Sequence, residues 1–457
     1  MNSPSSAAAA RGRWTRTHLP VLLGILAICA GVRLWLIHRS DSVAPDGVIY
    51  LAMARQWDSD PVAVAKNYDY PPGYPAAVAK VHRLVLAAGM ADGRESWEWA
   101  GRAVSLVSSL SAMAAIYVLA GLTFNWTVAA MTILLFGVGR KWSCLGADAL
   151  SDCLAISLQL WAMVGVLTVL PMLRRGVRWA PAVAAGAGAL AGLGYLARPE
   201  SLWVILIAGI VWLGRYVIRR QNLGLTLASM ASMAALAGAV AAPYMMTIGG
   251  LSHKKSVGHI IGLDTPAPLP PAAAASDGED TGDSHIHPTA LKILEQFLAA
   301  IQPVIGGFFF AGLVGLALCC WAPGRALGPP MPGPTNAGKA LFAATAAVVL
   351  PTVALLHVTS GYLSHRHVMF MAAVLSPLAA GGILWVAGVV SRAGKSRRGR
   401  PELVAFILTC VVFACVASDT LRYRPHYKDH VRQAYTHSGT AGSRGGPDGG
   451  RIKQAEA

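Results

Sequence analysis

Residues 152–170 read DCLAISLQLWAMVGVLTVL. After an acidic start the stretch carries no charge. If it crosses a bilayer, its backbone N–H and C=O groups have to close on themselves as a helix. Barrel strands would be about half as long and would alternate polar with apolar residues. The same pattern recurs near residues 19–37, 100–120, 124–138, 181–196, 199–217, 223–243, 297–320, 340–357, 367–390 and 402–418. The expectation is an all-α, polytopic membrane protein with about eleven transmembrane helices. Composition agrees, at 54% hydrophobic and only 13% charged residues. The blocks at 124–138 and 181–196 fall short of the roughly 20 residues a full crossing needs, so tilted, broken or interfacial elements are expected there.

Orientation follows from the basic residues. Arg11, Arg13 and Arg16 precede the first span, and alternate loops carry Arg174/Arg175/Arg178, Arg215/Arg219/Arg220, Arg325/Lys339 and Arg392/Lys395/Arg397/Arg398/Arg400. The positive-inside rule makes these loops cytoplasmic, with the N-terminus inside and the loop at 38–99 outside. The formal charge of +16 is in part this topology signal. Because the cations are scattered in short loops, no nucleic-acid partner is expected; membrane lipids are. The first apolar run continues past Arg33 to Ile37 without a small-residue cleavage site, which reads as an uncleaved anchor rather than a signal peptide. Residues 1–18 then form a cytoplasmic segment, 19–418 a transmembrane domain, and 419–457 a polar tail. Residues 264–288, rich in Pro and acidic residues, read as a flexible external loop, in which Asp283, His285 and His287 are solvated rather than metal ligands. There is no CxxC pair to suggest a zinc knuckle.

The loop at 38–99 is too long for a connector. Asp46 follows Pro45 and opens a stretch that places Tyr50, Met53, Ala54 and Trp57 on one helical face, as expected of juxtamembrane helices. Asp46 is expected at or near the N-cap, a purely structural use for a carboxylate. Tyr68, Tyr70 and Tyr74 then surround a Pro71-Pro72 turn. Asp148 and Asp152 stand four apart and are expected to share a helical face, where like charges repel. Arg198, Arg366, Lys80 and the pair His365/His367 are the cations expected at the outer membrane level, with Glu200 beside Arg198 as its partner or as a helix-start charge.

Four motifs taken in order carry a resemblance: Asp46-Gly47-Val48-Ile49-Tyr50-Leu51-Ala52-Met53-Ala54, Tyr70-Pro71-Pro72-Gly73-Tyr74-Pro75, Leu196-Ala197-Arg198-Pro199-Glu200, and His365-Arg366-His367 ahead of Pro377. Over about residues 15–390 the chain resembles the type C glycosyltransferases, in the branch of protein O-mannosyltransferases and lipid A aminoarabinose transferases. The resemblance implies transfer of a sugar from a polyprenyl-phosphate carrier on the non-cytoplasmic face, in the bacterial plasma membrane, to an acceptor protein, lipid or glycan of the cell envelope. It implies Asp46 as the catalytic carboxylate and Asp152 in support, and it makes the Pro-Pro turn part of a helical layer over the site. In the mannosyltransferase pattern a Glu follows the Asp; here Gly47 does. No large soluble domain is expected after the last span.

The residues suit that chemistry. A base has to take the acceptor's proton, and positive charge has to steady the departing phosphate. Asp46 serves the first need, and Arg198, Arg366, Lys80 and His365 the second. Tyr50, Tyr70, Pro72 and Tyr74 would wall the pocket. No cofactor is required, although Asp46 with Asp152 has the chemistry for a divalent cation. The rival reading, a transporter or flippase for a lipid-linked saccharide, would place ionisable residues near mid-membrane and often show a repeat between halves.

Overall fold

The computed structural model describes residues 4–40, 42–219, 222–252, 289–321, 334–360, 363–393 and 401–423. Among these residues every regular element is helical. Eight helices are long and apolar enough to cross a membrane, and the number reaches eleven if each of three bent pairs is one span. The chain is a multi-pass membrane protein. The loop expected at 264–288, with Asp283, His285 and His287, lies outside the described residues, as does the tail from residue 424.

The bent pairs shape the interior. The short block at 124–138 is one arm of a broken element, in which α6 (Trp126–Gly137) turns by 68° into α7 (Arg140–Ala147). Arg33 seals this break from α1 (Pro4–His38). Its Nη1 donates to the carbonyls of Cys29 and Gly137 at 2.9 Å each, and its Nε to Ser109 Oγ at 2.6 Å. The Gly137 carbonyl belongs to a helix end, where acceptors lack intrahelical partners, and such acceptors let a buried cation persist among apolar helices. The other breaks precede prolines, where the ring removes a backbone donor and crowds the preceding turn. At Gln302-Pro303, α12 (Thr289–Ile301) turns by 111° into α13 (Pro303–Trp321), and at Ser376-Pro377, α15 (His365–Leu375) turns by 53° into α16 (Pro377–Ala393). The second short block is unbroken: α9 (Ala180–Ala197) is one continuous helix.

Between membrane helices, apolar side chains gain little over lipid, so close backbone approach carries the packing. Gly188 and Gly192 of α9 leave no room for a Cβ against Met233 and Ala237 of α11 (Leu223–Ile248). Gly312 of α13 and Gly382 of α16 meet in the same way, against Leu378 and Phe308.

The loop after α1 folds into α2 (Pro45–Trp57), α3 (Pro61–Asn67) and α4 (Gly73–Ala87), ahead of α5 (Arg94–Thr123). The buried face of α2 holds Gly47, Tyr50, Leu51, Met53 and Ala54, close to the face read from sequence. Asp46 lies near the N-cap as expected, in the first turn of α2; the cap itself is Ala44, whose N–H donates to Asp148 Oδ1 at 3.0 Å. One expectation needs correction. Asp148 and Asp152 share no helix. Asp148 ends α7 in extended conformation, while α8 (Asp152–Arg174) opens four residues on, so the repulsion expected from helical spacing does not arise.

Candidate active site

Asp152 is the buried centre of a charge cluster, its side chain 2% exposed. Arg198, in extended conformation between α9 and the 3-10 turn Pro199–Leu202, donates from Nη2 to Asp152 Oδ2 at 2.7 Å. Arg366, in the first turn of α15, gives Nε to both Asp152 oxygens at 3.3 and 3.2 Å and Nη2 to Oδ2 at 2.8 Å. From the same guanidinium, Nη1 donates to Asp46 Oδ2 at 2.7 Å. A planar fork can bridge two carboxylates in this way, and an ammonium cannot.

The turn that carries Arg366 is locked by its neighbours. Ser364 Oγ accepts from the Arg366 N–H at 3.2 Å, and the Ser364 N–H donates to His367 Nδ1 at 3.3 Å, a reciprocal capping box. His367 is therefore a framework residue. His365 sits within the electrostatic reach of Arg366, Asp152 and Lys141 of α7.

Ser151 ties the first loop to the cluster. Its Oγ accepts from Arg198 Nε at 3.2 Å and shares a hydrogen bond with Tyr50 OH at 2.8 Å. Tyr50 lies edge-on to Tyr70 and to Tyr74, with ring centroids 5.1 and 5.2 Å away. Tyr70 OH donates to Asp46 Oδ1 at 3.4 Å. Burial first, and then the Asp46 charge, raise the Tyr70 phenol above its ordinary range, so it stays a donor. Tyr74 faces elsewhere: its hydroxyl donates to the Gly101 carbonyl at 2.9 Å and meets Ser105 Oγ at 3.0 Å. It is a strut behind the pocket rather than part of its wall.

The Pro-Pro turn has a steric purpose. Pro72 precedes α4 as its N-cap, and at Gly73 a Cβ would meet the Leu196 carbonyl at 2.6 Å, so α4 rests on the end of α9 beside Arg198. Gly47 is constrained less tightly, since a Cβ there would meet the Ala149 carbonyl at 3.0 Å and Val43 Cβ at 3.3 Å. A glutamate in its place would need the loop that leads to Asp152 to give by a few tenths of an ångström. Glu200 lies in the 3-10 turn and acts electrostatically on Arg198. Lys80 is exposed on α4, and among the described residues no hydrogen bond or ion pair joins it to the cluster.

The two carboxylates are both turned toward Arg366. Here Oδ2 of Asp46 and both oxygens of Asp152 accept from Arg366, and no group of three or more His, Cys, Asp or Glu gathers among the described residues. The positive charge between them is the guanidinium itself.

No protein-family model matches the chain, and no curated protein matches its sequence. Solved structures do match its fold. The oligosaccharyltransferase of Archaeoglobus fulgidus, tethered with an acceptor peptide, superposes with a TM-score of 0.55 at 12% identity, over 90% of this chain and 56% of its own. ArnT from Cupriavidus metallidurans in the apo state gives a TM-score of 0.52 at 14% identity, over 90% of this chain and 72% of its own. The same enzyme bound to undecaprenyl phosphate gives 0.51 at 14% identity, over 89% and 70%. The fold is that of the type C membrane glycosyltransferases. The chain spans little more than half the length of the archaeal enzyme. Within this type C fold the cluster draws on four separate segments, contributing Asp46, Ser151 with Asp152, Arg198 and Arg366. Sequence reasoning had marked all of these but Ser151, and it missed Lys141. Neither carries a signal that separates it from any other loop serine or helix lysine.

Proposed function

We propose that the protein is a membrane glycosyltransferase that moves a sugar from a polyprenyl-phosphate carrier to an acceptor hydroxyl on the non-cytoplasmic face. The observation that carries the reading is the Asp46–Arg366–Asp152–Arg198 array within a type C fold. Asp46 is 31% exposed and within reach of an incoming hydroxyl, whereas Asp152 is 2% exposed and spent on holding two guanidinium groups. The division of labour follows from that contrast. Asp46 takes the acceptor's proton, and the acceptor oxygen bonds to the anomeric carbon. The bond from that carbon to the phosphate oxygen breaks, leaving the carrier phosphate beside Arg366 and Arg198 with inversion at the sugar. Asp152 keeps both forks aimed, and Tyr70 orients Asp46.

The carrier class is supported by the neighbours: ArnT was solved with undecaprenyl phosphate, and the archaeal oligosaccharyltransferase with an inhibitory peptide and a dolichol-phosphate. The basic loops support the sidedness, with the N-terminus in the cytoplasm and the site outside, as expected for a bacterial plasma-membrane enzyme. A transporter would hold its ionisable residues at mid-helix. Here Asp152 opens α8 and Arg198 stands between helices, which favours chemistry at the surface. The test is transfer by the purified full chain from a panel of polyprenyl-phosphate sugars, with sugar release and acceptor mass followed together. Absence of transfer from every donor, with saccharide flux in proteoliposomes, would replace the enzyme with the transporter.

A further inference from the structure

The two ends of the Arg366 fork are held very differently. On the inner side, Nε and Nη2 make three contacts with Asp152, which is also anchored by Arg198. On the outer side, Nη1 makes a single hydrogen bond at 2.7 Å with Asp46, a carboxylate that is 31% exposed and, among the described residues, otherwise hydrogen-bonded only by Tyr70 at 3.4 Å. One side of the guanidinium is fixed and the other is exchangeable. While the pair is closed, Asp46 spends Oδ2 on a charge-assisted hydrogen bond to Arg366 rather than on an incoming hydroxyl.

Resting on the carrier-phosphate reading above, we infer that Arg366 is a hand-over clamp: when the donor enters, Nη1 passes from Asp46 to a phosphate oxygen of the carrier, and Asp46 is released to act as the base. Arg366 pivots on Asp152 and does not leave it. The sugar phosphate therefore loads before proton transfer is possible, and an empty site keeps its base occupied. A phosphate oxygen is a suitable rival for Asp46, since it offers the same charge-assisted bond to a guanidinium. No bond is made or broken in this step; one ion pair replaces another.

If Asp46 competes with the carrier for Nη1, removing its charge should strengthen carrier binding even as it abolishes catalysis. The experiment measures binding of undecaprenyl phosphate to the detergent-purified full chain. Asp46→Asn is expected to bind about three- to thirtyfold more tightly than the parent, since a charged hydrogen bond no longer has to be exchanged. The gain should vanish when Asp46→Asn is made in an Arg366→Gln background, because the pairwise term resides in Nη1. Asp69→Asn, which removes an exposed nearby charge without touching Arg366, should give no gain, and this control stands if the double variant fails to fold. Unchanged or weaker binding by Asp46→Asn overturns the hand-over. So does an equal gain in Asp69→Asn or in the Arg366→Gln background, which would reduce the effect to net charge. A parent that binds no carrier phosphate at all would instead overturn the carrier reading itself.

Discussion

Arg366 and Asp46 stand 320 residues apart in the chain and 2.7 Å apart in the fold. That contact closes the first loop onto a helix of the C-terminal half, and it makes a surface carboxylate and a half-buried cation depend on each other.

The chemistry of Asp46 is separable from its structural use. Its side chain makes no capping bond, so Asp46→Asn should insert and purify normally. Transfer is expected to fall by about a hundredfold or more, the usual scale of a lost general base. A purified variant turning over at more than about half the parent rate would remove Asp46 from the reaction.

Arg366→Lys keeps the charge and loses the fork. One ammonium cannot meet Asp46 and both oxygens of Asp152, and hydrogen bonds between charged groups contribute about 1.5–3 kcal/mol each. Donor use at limiting concentration should drop by about tenfold to a hundredfold, and Arg198→Lys, which gives up its bond to Ser151, should drop as well. Near-parental kcat/KM in both variants would leave these arginines as membrane-surface anchors.

Gly47→Glu installs the residue of the mannosyltransferase pattern where a Cβ would stand 3.0 Å from the Ala149 carbonyl, a few tenths of an ångström too close. Thermal unfolding followed by tryptophan fluorescence should show a loss of about 1–3 kcal/mol, the usual cost of overpacking. An unchanged melting temperature would mean that the loop to Asp152 yields freely and that Gly47 has another reason.

Sidedness has a direct check. Ser59→Cys, on the exposed turn after α2, should react with an impermeant thiol reagent in intact cells, and Trp179→Cys, in the basic loop between α8 and α9, should not. The reverse pattern would put the cluster on the cytoplasmic side and end the proposal for an external donor site.

The spans were legible because hydrocarbon imposes one composition on every crossing segment. The breaks were not, since a run such as 297–320 is apolar on both sides of Gln302, and no hydropathy window registers that residue's φ of 68°. A signal was present in Gln302-Pro303 and Ser376-Pro377, two prolines placed where a continuous helix would lose a backbone donor. At the site, the motifs marked Asp46, Arg198 and Arg366 one by one, and Asp152 stood out as the acidic start of a span. That they form a single ion-paired array is a tertiary fact, set by where α15 docks. Spacing misled at Asp148, because Ser151 starts a new helix instead of continuing the old one.

The scattered origin of the cluster also orders its assembly. Asp46, Asp152 and Arg198 leave the ribosome well before Arg366, so for a time one guanidinium faces two carboxylates, and Asp152 is bound for a position that is 2% exposed. A buried charge without its full set of partners costs several kcal/mol. The N-terminal bundle should thus stay loosely packed or hydrated around Asp152 until α15 inserts. Lesions in residues 363–393 would then first be felt as instability in residues 46–200, with the nascent chain waiting on its own C-terminal half.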